Sequence, residues 1–190
     1  MGILTRRSYG IGLVAALAFA LIASPALGKG KNFVDSDDAK EANEPAKFLP
    51  DYDKLTKGKD ADWVYFPESS LKKYKSVQVK DFVENAKGRD AREAAEDGKE
   101  YMEQWLERGG YTLAEKGAEL LIEGNVFHAR EPGGGGFGWM ARSGVGVEVI
   151  LRDGSGKVVG EIRHKSLGST LEDAVENALE EVAKAISDGR

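Results

Sequence analysis

Three β-type runs in succession constrain this chain more than any other feature. Leu120-Leu-Ile-Glu-Gly-Asn-Val-Phe-His-Ala-Arg130 is followed, beyond a glycine run at Gly133–Gly136, by Val145-Gly-Val-Glu-Val-Ile-Leu151. Asp153-Gly-Ser-Gly-Lys157 then leads into Val158-Val-Gly-Glu-Ile162. Each run is rich in β-branched residues and bounded by turn residues, so the pattern predicts an antiparallel meander. In phase, Leu120, Ile122 and Val126 share one face of the first strand. Val145, Val147, Val149 and Leu151 share a face of the second, and Val158 and Ile162 of the third.

A meander with one apolar face needs a cover, and two helical patterns supply it. Between Asp90 and Arg108, residues Ala91, Ala94, Ala95, Tyr101, Met102, Trp105 and Leu106 recur at three- and four-residue steps, and Gly109-Gly110 ends the pattern. Gly98 costs this helix about 1 kcal/mol relative to Ala, which marks close packing against the sheet. Ser169-Thr-Leu-Glu172 matches a capping box, and Leu171, Val175, Ala178, Leu179, Val182 and Ile186 follow as one stripe. Upstream, Ser76–Lys80 alternates as a half-buried strand, and Tyr111–Leu113 starts a short return strand. The expected architecture is a two-layer α+β domain: a mixed or antiparallel meander sheet of about 4–6 strands with two helices on one face.

The N-terminus predicts export. Arg6 and Arg7 precede an apolar run from Ile11 to Ala23, and Ala26-Leu27-Gly28 offers small residues for cleavage after Gly28, with cleavage after Ala26 as the near alternative. The apolar run falls short of the roughly 20 residues of a membrane span. Thr5-Arg6-Arg7-Ser8-Tyr9 also resembles a twin-arginine signal, although Gly10 stands where an apolar residue belongs, so both routes stay open. The expected organisation is a signal peptide over 1–28, a charged, disordered linker over 29–45, and one α+β domain over 46–190. The expected location is the periplasm or outside the cell.

Composition narrows the chemistry. The 190 residues contain no cysteine, which removes disulfides, thiolate nucleophiles, thiolate metal sites and a lipidated N-terminal Cys. Loss of residues 1–28, whose only charges are Arg6 and Arg7, takes the net charge from −5 to −7. Acidic and basic residues are interspersed without a basic stripe, which argues against a nucleic-acid partner.

Phe48-Leu-Pro-Asp-Tyr-Asp-Lys-Leu55, then Trp63-Val-Tyr-Phe66 and Leu71-Lys-Lys-Tyr74, resembles the start of a bacterial envelope lipoprotein family of unknown function that opens with an FLxDYxxL motif. Glu123-Gly-Asn-Val, the glycine loop and Leu151-Arg-Asp-Gly-Ser-Gly-Lys157 are similar to a second group of secreted domains of unknown function. The two resemblances together cover most of 46–188, and the missing lipobox Cys is a departure from the first. They imply an accessory role in the cell envelope, with an envelope protein as partner, rather than catalysis.

Candidate sites concentrate near the glycine loop. Phe137, Trp139 and Met140 form either a partner- or membrane-contacting tip or a loop folded back onto the core. Arg130 and Arg142 bracket the loop, suited to a carboxylate ligand or to cross-strand pairing with Glu131 or Glu148. His128 and His164, the only histidines, fall at the same end of the sheet about 10 Å apart, too far to share a metal. Asp51 and Asp53 flank Tyr52 in an irregular lead-in, and Ser143 has no nearby base. No catalytic residue, metal or cofactor is expected. The first reading is an interaction or assembly module that uses the loop and an exposed strand edge, including pairing with its own copies. The alternative is a small-ligand binding protein or weak hydrolase with Arg130, Arg142, His128 and His164 lining a cleft at the sheet end.

Overall fold

The computed structural model describes residues 48–68, 70–131 and 142–189. The signal peptide, the linker and the loop residues Phe137, Trp139 and Met140 lie outside these described residues. A short 3₁₀ turn at Tyr52–Lys54 leads into β1 (Thr56–Lys57), β2 (Trp63–Tyr65), β3 (Ser76–Val79) and β4 (Val83–Glu84). Helix α1 (Arg89–Arg108) and β5 (Thr112–Leu113) precede β6 (Leu120–Arg130), β7 (Ser143–Asp153), β8 (Val158–Gly168) and α2 (Leu171–Asp188).

The predicted meander is the centre of the sheet. Strands β6, β7 and β8, each 11 residues long, pair antiparallel in sequence order. Outside them the order runs β1-β2-β8-β7-β6-β3-β5, with β4 paired separately to β6. β3 and β4 both run parallel to β6, because α1 carries the chain back across the sheet before β6 begins. The class is α+β as expected, but the sheet has eight strands rather than four to six. β1, β4 and β5 have two residues each, too few for a period-2 pattern to register.

One face of the sheet carries the core. Leu120, Ile122, Val126, Val145, Val147, Val149, Leu151 and Ile162 are buried there. Against them pack Ala91, Ala94, Ala95, Met102 and Leu106 of α1, and Val175, Ala178, Leu179, Val182 and Ile186 of α2. Full burial of each large aliphatic side chain contributes about 1.5–3 kcal/mol. Phe82, from the β3–β4 connection, wedges between helix and sheet. A Cβ at Gly98 of α1 would sit 2.7 Å from its ring, and one at Gly124 of β6 only 2.3 Å away. The helix-weakening Gly98 is the clearance this ring needs.

Three details depart from the sequence pattern. The cap of α2 moves one residue on: Thr170 is the N-cap and accepts from the Asp173 N–H at 3.0 Å, while Ser169 donates to the Asp173 carboxylate. In β8 a register shift opposite Leu151/Arg152 places Val159 in the core instead of Val158. The third is a shift in β6 between Val126 and His128, where Phe127 is the extra residue of a bulge.

Candidate functional site

The bulge decides where the two histidines go. Residues directly opposite in an antiparallel pair project to the same face. Val147 is opposite both Val126 and His164, which puts His164 on the helix-covered face. Gly146 is opposite both His128 and Lys165, which puts His128 on the other face. The expected side-by-side placement of the histidines is therefore corrected: the extra residue inverts the parity of β6 beyond Val126. Arg130 is opposite Gly144, on the His128 side, and Arg142 lies exposed just before β7. The four proposed cleft residues lie toward the same end of the sheet, as expected, but His164 is on the face opposite His128 and Arg130.

His164 is buried and joins three elements. Its Nδ1 accepts from the Asp62 N–H at 3.2 Å, and Glu181 Oε2 of α2 lies 2.5 Å from Nε2. Asp62 also accepts the Lys165 N–H at 3.0 Å. Burial works against ionisation of Asp62, but the adjoining His164 ring and the hydrogen bond from the Lys165 N–H outweigh it and hold the carboxyl below its usual range. With a carboxylate against each side of the ring, this histidine is a structural tie between the segment before β2, β8 and α2.

The face without helices carries the most developed polar cluster. Asn125, Glu148 and Arg163 stand in one row across β6, β7 and β8. Glu148 is 1% exposed, and the Tyr52 hydroxyl and Arg163 Nη1 both donate to its Oε1. Asn125 Nδ2 donates to Oε2 at 3.0 Å, and Asn125 Oδ1 accepts from the Asn85 N–H at 3.2 Å. The Arg163 guanidinium also stacks 3.8 Å from the centre of the Phe127 ring, the bulge residue. Burial and the Glu148 carboxylate push the Tyr52 hydroxyl far above the usual phenol range, so Tyr52 stays a donor at any physiological pH.

The lead-in segment closes this face. Leu49 is 1% exposed, and the Asp51 N–H donates to Glu161 Oε2 at 3.0 Å. Glu161 is fully buried with Oε1 unpartnered, and burial pushes its carboxyl above the usual range. Glu148, Glu161 and Arg163 are out of phase with the apolar residues of β7 and β8, and the lead-in segment covers them. The signal that they are covered is Tyr52 within Phe48–Leu55, whose hydroxyl crosses 96 residues to reach Glu148. A buried ion pair whose carboxylate is also held by Tyr52 and Asn125 fixes the geometry of this face. Among the described residues no three His, Asp or Glu side chains gather at metal-binding distance.

No family model matches the chain, and no curated protein matches it in sequence. Solved structures do match. A variant of PelC from Paraburkholderia phytofirmans, a dodecamer, is similar with a TM-score of 0.53 and 21% identity, over 65% of this chain and 95% of that one. The fold is shared with PelC. A second PelC dodecamer from the same organism has a TM-score of 0.49 and 22% identity, over 63% of this chain and 94% of that one. A minor lipoprotein from Acinetobacter baumannii has a TM-score of 0.39 and 12% identity, over 60% and 94%.

Proposed function

We propose that this is an exported cell-envelope protein that acts by assembling with copies of itself and with a partner, without catalysing a reaction. The observation that carries the reading is the shared fold across 95% of a PelC chain that forms a dodecamer. The export-type N-terminus at Arg6–Gly28 supports the location. The site geometry supports the role: Asn125, Glu148, Arg163 and His164 hold the lead-in segment, the turn before β2 and α2 to the sheet. The outermost strands, β1 and β5, offer two residues each for edge pairing. Phe137, Trp139 and Met140 of the glycine loop are the proposed apolar contact of assembly.

Native mass spectrometry of protein purified from the periplasm of its own host tests this. The expected result is a closed multiple of the 29–190 chain, reduced to monomer when Phe137 and Trp139 are both replaced by serine. A monomer at tens of micromolar overturns the assembly reading. An unchanged oligomer in the double variant removes the loop from it.

A further inference from the structure

Between β4 and α1 lies an open groove of about 470 Å³, within the roughly 300–1,000 Å³ of ordinary binding clefts. Its floor is the Phe82 ring with Ala95, and the wedge between Gly98 and Gly124 holds that ring fixed. Along one wall Arg92, Glu96 and Lys99 project from the same stripe of α1, and Glu84 projects from β4 opposite. Lys99 is engaged by Asp81 at 3.0 Å. The side chains of Glu84, Glu96 and Arg92 make no ion pair or hydrogen bond among the described residues, which leaves two carboxylates against one guanidinium.

β4 supplies the second half of the feature. It pairs only with β6, so among the described residues its outer edge faces no strand. Val83 is opposite Asn125 and Glu84 is opposite Val126, so the two residues of β4 project to opposite faces. Val83 is also the large hydrophobic residue left exposed among the described residues, at 47%. An open strand edge beside a helix, with an apolar side chain on one side and unpaired carboxylates on the other, fits one kind of occupant.

We propose that this groove binds an extended partner segment that alternates basic and apolar residues and adds alongside β4. Backbone groups of the segment pair with the open edge. Its basic side chains enter the groove, laying their methylene stems over Phe82 and Ala95 and their charges against Glu84 and Glu96. Its apolar side chains fall on the opposite face against Val83. The proposal rests on the partner-binding reading and names the partner's chemistry, but the oligomer mass that tests self-assembly is independent of it.

The test is a titration of ¹⁵N-labelled exported chain with a blocked hexapeptide of alternating lysine and valine. Two controls carry glutamate in place of lysine, or serine in place of valine. The expected result is saturable shifts confined to 81–84 and 92–99 with the lysine–valine peptide. Affinity falls at least tenfold for the Glu84→Gln/Glu96→Gln double variant, whose two sites are exposed and do not threaten folding. Absence of shifts, equal binding of the glutamate peptide, or unchanged affinity in the double variant overturns the proposal. Equal binding of the lysine–serine peptide also overturns it, since that outcome reflects charge attraction alone.

Discussion

Glu161 shows how one side chain sets a pH dependence. It is fully buried, receives one hydrogen bond from the Asp51 N–H, and has its carboxyl pushed upward by burial. The folded protein therefore holds this proton more tightly than the unfolded chain does. Stability falls as pH rises from the ordinary glutamate range to the raised folded value, and the full penalty applies above it. Glu161→Gln keeps the acceptor for Asp51 and removes the charge. Its thermal midpoint is expected to match the parent near pH 4 and to exceed it increasingly toward pH 7, measured by calorimetry across that range. A variant less stable than the parent at pH 7 would show that the ionised carboxylate is favoured in the fold.

At the scale of elements, helix α2 offers a sharp comparison. Thr170→Ala removes the acceptor of the Asp173 N–H and is expected to cost about 1 kcal/mol. Ser169→Ala removes only an exposed contact to the Asp173 side chain and is expected to cost less than half of that. Urea unfolding midpoints of the two variants check the order, which reverses if Ser169 is the true cap. Period and capping signals made both helices and all three long strands legible in the sequence, and Gly98 correctly marked close packing. The capping motif was misplaced by one residue because Ser169 and Thr170 are chemically equivalent candidates. The placement of His128 was not legible. A bulge adds one residue without changing composition, and every side chain beyond it changes face. The polar row of Asn125, Glu148 and Arg163 was hidden for another reason. Alternation identifies a second face but says nothing about what a distant segment lays across it.

That covering is a property of the whole molecule. Tyr52 meets Glu148 and Arg163 across about a hundred residues of chain, so the lead-in is held by a pair that β7 and β8 bring together. Tyr52→Phe removes a hydroxyl that donates to the Glu148 carboxylate and accepts from Arg163, and is expected to cost about 1.5–3 kcal/mol. Glu148→Ala, which strands Arg163 and Asn125 below the segment, is expected to cost about 3–5 kcal/mol. Chemical denaturation checks both, and equal losses would show that Tyr52 carries the whole cluster. The strand ends are finished with equal care. Asp62 takes the Lys165 N–H, Asn177 Nδ2 donates to the Leu167 carbonyl at 3.3 Å, and Asp90 takes the Glu131 N–H at 2.9 Å. Each of these side chains occupies a backbone group that a stray strand from another molecule would use. Occupied groups of this kind shield the far ends of β6 and β8 from the edge-to-edge pairing that begins amyloid-like stacking.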